Sequence, residues 1–149
     1  MWGIQFPHRI AFADPEKPQI VGTLRAQREE VSAISLYLDT GAQFSLFDQQ
    51  VLEAFDFAVP AERDPKDERW QAFGGGNGKL WGYRFDDLQV SVDGTPLVVT
   101  LPVYAAAEEL WKRNVLGRDF LRKFVAGFDL YGATVYLRDR STGSGVDDE

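Results

Sequence analysis

Apolar and polar residues alternate along most of this chain with a period of two, in runs rich in Val, Leu, Tyr, Phe and Thr that Gly, Pro and Asp interrupt. Such alternation is the signature of strands that bury one face. It predicts strands over Ile4 to Ala13, Ile20 to Arg28, Ala33 to Leu38, Arg69 to Phe73, Leu80 to Val92 and Leu97 to Tyr104. A closing pair is expected near Val125 to Asp129 and Ala133 to Arg138. "VDGTP" offers Gly94 for the positive φ of a hairpin turn, and "LYGAT" offers Gly132 for the closing pair. The spacing turns helical in two places. In "SLFDQQVLEAF" Ser45 and Asp48 resemble a capping arrangement ahead of Val51, Leu52 and Phe55, and in "GRDFLRKF" the residues Phe120, Leu121 and Phe124 share a face. The chain thus reads as mainly β with one or two short helices.

With 149 residues and 44% hydrophobic content, the composition suits one domain with an ordinary core. The net charge of -7 argues against a nucleic-acid partner, because phosphate recognition rests on Lys and Arg. No cysteine and a single histidine, His8, leave thiolate chemistry, zinc clusters and a Ser-His-Asp triad poorly supplied. His8 itself reads as a surface or strand residue rather than a ligand. No run approaches ~18 apolar residues and the first residues lack a basic and apolar leader, so a cytoplasmic protein without a membrane partner is expected. The tail "STGSGVDDE", residues 141–149, is small, polar and acidic, and is expected to be disordered. The run "AERDPKDERW" reads as a solvated loop.

The reactive inventory is therefore carboxylates and hydroxyls. The position that stands out is Asp39, at the end of the apolar run Leu36-Tyr37-Leu38 and directly ahead of Thr40, Gly41 and Ala42. An aspartate there is either a turn former or a working carboxylate. Burying it unpaired would cost several kcal/mol, so it must be hydrogen-bonded or shifted in pKa. A glycine two residues on lets backbone N–H groups approach it closely, which is also ordinary turn vocabulary.

Motif order carries the argument further. An apolar strand runs into Asp39-Thr40-Gly41-Ala42 and on to Ser45; a glycine-rich hairpin, "AFGGGNGKLWGY", follows in mid-chain; then comes "NVLGRDFL", Asn114 to Leu121, and a closing hairpin. In this order, over roughly residues 20 to 138, the chain resembles the retropepsin-like aspartic proteases, the single-domain relatives of pepsin. The place after Asp-Thr-Gly-Ala, acidic in several viral members, is Gln43 here, as it often is in cellular relatives.

The resemblance implies a closed, barrel-like β domain equivalent to half of pepsin, over residues 20–140, with residues 1–19 as an N-terminal extension or extra hairpin. It implies one catalytic aspartate per chain and hence a homodimer in which two Asp39 side chains meet, activating water to cleave a peptide or protein substrate with no metal or cofactor. Thr40 would hydrogen-bond across the two-fold axis and Gly41 would lend backbone groups to the substrate. Ala42, Phe73 and Trp81 would contact substrate, Trp70 and Tyr83 would be further wall candidates, and Gly74, Gly75, Gly76, Asn77 and Gly78 would form a mobile flap. Two rivals stand beside this reading: a module of the same fold that binds peptide or dimerises without cleaving, and a β-barrel binder of small apolar ligands lined by the aromatics.

Overall fold

The computed structural model describes residues 6–74 and 79–140. Among them the chain is mainly β, with ten strands and two short helices. In chain order these are β1 (His8–Ala11), β2 (Gln19–Ala26), β3 (Glu29–Leu38), β4 (Leu46–Phe47), α1 (Gln49–Glu53), β5 (Trp70–Phe73) and β6 (Leu80–Val92). There follow β7 (Val98–Ala106), β8 (Val115–Leu116), α2 (Arg118–Leu121), β9 (Phe124–Asp129) and β10 (Thr134–Asp139). No described helix is long and apolar enough to cross a membrane.

The larger sheet runs β2-β3-β8-β4-β7-β6-β5, and an added pairing of β2 with β6 joins its flanks into a ring of strands with β5 outside it. The ring encloses the main core because period-two burial points the same way on every long strand. On β2 the inward positions are Ile20, Gly22, Leu24 and Ala26; on β7 they include Val99, Leu101 and Val103. Gly22 is needed where the ring closes, since a Cβ there would stand 2.5 Å from the Ser91 carbonyl oxygen. The second sheet is antiparallel, in the order β1-β10-β9, and Val135 and Leu137 of its middle strand are fully buried in the main core. Residues 8–11 of the expected N-terminal extension thus pair with the last described strand, and Phe12 joins the main core.

Several boundaries and turns differ from the sequence expectation. The strand expected over Ile4 to Ala13 covers only His8–Ala11, with Ile4 and Gln5 outside the described residues. β3 begins at Glu29 rather than Ala33, because Gln27 (φ 55°) turns a tight hairpin from β2, and Ala33 (φ 57°) sits at the register shift between them. Gly94 has the positive φ expected of it, at +79°. In the β9–β10 turn the positive φ falls on Ala133 (50°) instead of Gly132. Gly132 serves differently: its N–H donates to Asp129 Oδ1 at 2.8 Å, and a Cβ on it would stand 2.5 Å from Asp129 Oδ2.

The helices are shorter than expected. Leu46 and Phe47 are strand, and α1 is capped by Asp48, whose Oδ1 accepts from the Gln50 N–H at 2.9 Å. Phe124 belongs to β9 rather than to α2. The tail, residues 141–149, lies outside the described residues.

Candidate active site

Asp39 follows immediately on β3, and three neighbouring backbone segments fix its place. β3 runs parallel to β8, with Tyr37 opposite Val115 and Leu38 opposite Leu116, and the Asp39 N–H donates to the Leu116 carbonyl at 3.0 Å. β8 pairs antiparallel with β4, which lies parallel to β7. The loop 39–45 therefore leaves one strand of the sheet and re-enters it two strands away, crossing over the end of β8.

The residues after β8 clamp that crossing. The Arg118 N–H donates to the Ala42 carbonyl at 2.8 Å and the Asp119 N–H to the Gln43 carbonyl at 3.2 Å. The Arg118 guanidinium reaches the Thr40 carbonyl at 3.2 Å. Gly117 lies so close beneath the loop that a Cβ would stand 2.6 Å from the Phe44 carbonyl oxygen and 2.7 Å from that of Ala42.

A buried polar knot completes the clamp. Ser45 is fully buried, and its hydroxyl donates to Asp119 Oδ1 at 2.7 Å while accepting from the Gly117 N–H at 3.1 Å. Asp119 also accepts from the Ser45 N–H at 3.1 Å and from the Phe120 N–H at 2.8 Å. A buried carboxylate with this many donors is satisfied, and charge-assisted bonds of this kind are among the stronger ones in proteins. Ser45, read from the sequence as part of a helix cap, is instead a tie between the two halves of the site.

At the top of this platform the Asp39 side chain is exposed, with Oδ1 accepting from the Gly41 N–H at 2.8 Å. Gly41 earns its place here, since a Cβ would approach the same oxygen to 3.2 Å. Thr40 is exposed and meets Arg118 through its carbonyl.

Asp39 borders two cavities. The larger, about 610 Å³, is lined by Gly41, Ala42, Phe44, Leu46, Phe73, Gly74, Leu80 and Trp111, with Gln43, Gln71 and Arg113 as polar neighbours. These aromatic and aliphatic side chains form an apolar cluster separate from the main core, in which Phe44, Phe73 and Tyr104 meet ring to ring at 5.3–6.4 Å. The smaller, about 500 Å³, lies among Lys17, Pro18, Tyr37 and Arg113. Asp39, Arg113 and Val115 belong to both.

Of the residues singled out in the sequence, Asp39, Gly41, Ala42, Phe73 and Gly74 meet at the larger cavity. Trp81 is not among its lining residues. On β6 the cavity side is taken by Leu80 and by Gly82, where a Cβ would meet Phe73 and Leu46, so Trp81 points the other way and carries the Arg63 guanidinium 4.0 Å above its ring. Trp70 and Tyr83 pack edge to face on each other, and the Tyr83 hydroxyl donates to Asp67 Oδ2 at 2.8 Å. Gly75, Gly76, Asn77 and Gly78 lie outside the described residues. Sequence reasoning missed Trp111 and Arg113. Both lie in the irregular stretch that leads into β8, which has no periodicity or motif of its own.

No protein-family model matches the chain, and no curated protein matches it.

Proposed function

We propose that the chain is an aspartic endopeptidase of the retropepsin type, active as a homodimer on extended peptides. The observation that carries this reading is an exposed carboxylate, Asp39, on a loop hydrogen-bonded to the segment 116–119, at the border of two cavities.

One carboxylate does not suffice for the chemistry. Hydrolysis of an amide by this route needs a base to take a proton from water and an acid to hydrogen-bond the carbonyl oxygen as charge develops there. Two carboxylates held side by side share one proton because both cannot ionise at that distance, and the two roles divide between them. A two-fold axis passing beside Asp39 supplies the second carboxylate from an identical chain. The ionised Asp39 takes a proton from the water as its oxygen bonds to the carbonyl carbon, and the protonated one gives its proton to the carbonyl oxygen; on collapse the proton gained from water passes to the leaving amine, the C–N bond breaks, and the other carboxylate recovers a proton from a hydroxyl of the intermediate. Phe73 and Gly74, at the end of β5, line the larger cavity and lead into the glycine-rich segment expected to act as a flap.

The test is cleavage of a diverse peptide library by concentrated protein from pH 4 to 7, with Asp39→Asn in parallel. Cleavage by the wild type that vanishes in Asp39→Asn supports the reading. Silence from both, where sedimentation shows a dimer, replaces it with a non-catalytic peptide-binding or dimerisation module of the same fold.

A further inference from the structure

The two cavities beside Asp39 share Arg113 and Val115 and differ in the rest of their lining. The larger is walled by Phe44, Leu46, Phe73, Leu80 and Trp111, which suits a bulky apolar side chain. The smaller brings two cations, Lys17 and Arg113, to the site of a chain whose net charge is -7. Lys17 has a carboxylate nearby, Asp14, at 3.9 Å. Arg113 forms no ion pair among the described residues. Its guanidinium lies over two rings instead, 5.3 Å from that of Tyr37 and 5.4 Å from that of Trp111. Cation–π contacts of this kind use the charge but not the N–H donors, which are the groups that grip a carboxylate.

We infer that Arg113, assisted by Lys17, is a specificity-determining residue that selects an acidic side chain in the substrate peptide close to the scissile bond, beside a position that takes a bulky apolar one. The inference rests on the peptidase reading for the term scissile bond, and on the two cavities for everything else. Successive side chains of an extended peptide point to opposite sides, so cavities flanking one carboxylate receive neighbouring residues. In a two-fold dimer the same pair of preferences repeats on the other side of the cleaved bond.

The experiment uses a matched set of peptides that keep one cleaved frame and carry Glu, Gln or Lys at each position within two residues of the cleaved bond. They are assayed at pH 6, where a glutamyl side chain is ionised. Wild type, Arg113→Gln and Arg113→Glu are compared by the ratio of kcat/KM for Glu over Gln peptides. Binding of the same peptides to Asp39→Asn, and to Asp39→Asn carrying Arg113→Glu, is measured by titration calorimetry. At one position on each side of the cleaved bond the wild type is expected to favour Glu by about tenfold, the size of one charge-assisted contact. Arg113→Gln brings the ratio near one and Arg113→Glu turns preference toward Lys. Cleavage with a Glu-to-Gln ratio near one at every position, or a ratio unchanged in Arg113→Glu, overturns the inference and leaves the peptidase reading standing. Charge-selective binding that Arg113→Glu reverses, without cleavage, supports the role of Arg113 in recognition and overturns the peptidase reading. Absence of both overturns both.

Discussion

Ser45 and Asp119, 74 residues apart in sequence, are joined by two hydrogen bonds, hydroxyl to Oδ1 at 2.7 Å and backbone N–H to Oδ2 at 3.1 Å. Each sits at the far end of a segment that touches Asp39 or its loop, so this contact joins the backbone bonds of Ala42 and Gln43 in setting the spacing between the loop 39–45 and the end of β8. Replacing Ser45 by Ala leaves a buried carboxylate oxygen one donor short and the Gly117 N–H without its acceptor. The expected cost is about 1–3 kcal/mol in urea denaturation. Peptide cleavage is expected to fall by more than the fraction unfolded explains, because the loop loses its anchor.

Gly117→Ala tests the same platform by sterics alone. The backbone at Gly117 (φ -94°) is open to any residue, so conformational strain plays no part. A methyl group placed 2.6–2.7 Å from the carbonyl oxygens of Phe44 and Ala42 must push the loop upward. Overpacking of this kind costs about 1–3 kcal/mol. The expected result is a lowered melting temperature together with loss of cleavage; full activity at wild-type stability would show that the loop tolerates displacement.

Asp39→Asn separates chemistry from structure. The side chain is exposed, and an Asn Oδ1 can still accept from the Gly41 N–H. Stability is expected to stay within about 0.5 kcal/mol of wild type, as for other surface changes. Cleavage should be abolished, since an amide can neither share the proton nor take one from water. A variant that unfolds readily would mean that Asp39 is structural.

Away from the site, the Tyr83–Asp67 bond gives a pH signature. The Asp67 carboxyl is held below its ordinary 3.8, first by the Arg69 backbone N–H and then by the Tyr83 hydroxyl. The bond to Asp67 in turn raises the Tyr83 hydroxyl above its ordinary 10.0. A carboxyl depressed in the folded state adds stability that is present above its unfolded pKa and lost as pH falls through the folded one. A phenol raised in the folded state adds stability that is present below its unfolded pKa and lost as pH rises through the folded one. The stability gap between wild type and Tyr83→Phe is therefore expected to be widest in the neutral range and to close below 3.8 and above 10.0. Melting temperatures across pH would show this, and a gap constant with pH would assign Tyr83 to packing alone.

What the sequence reveals follows from what holds each element in place. Long strands such as β2 and β7 declare themselves because alternate residues, Ile20 and Leu24 or Val99 and Leu101, enter one core. The two-residue strands β4 and β8 are too short to show a period and exist only through partners distant in the chain. They are also what positions Asp39, so the site residue is legible while its support is not. Ser45 misleads for a related reason: three residues ahead of an acid at a helix start it looks like a cap, but the buried Asp119 competes for its hydroxyl and wins. Asp48 takes over the cap. Asp39, Gly41 and Ala42 were legible because their spacing is local, whereas Arg113 and Trp111 enter the site from a polar stretch with no motif of its own.

The parallel pairing of β3 with β8 also bears on the order in which the protein matures. Hairpins such as β6–β7 close over a few residues and form early, but the contacts of Tyr37 with Val115 and of Ser45 with Asp119 close loops of more than seventy residues, an entropic expense that slows their formation. During synthesis at about 5–20 residues per second, the nascent chain carries Asp39 for several seconds before Asp119 exists to brace its loop. The platform under Asp39 therefore stays unformed while the chain that bears it is still being made.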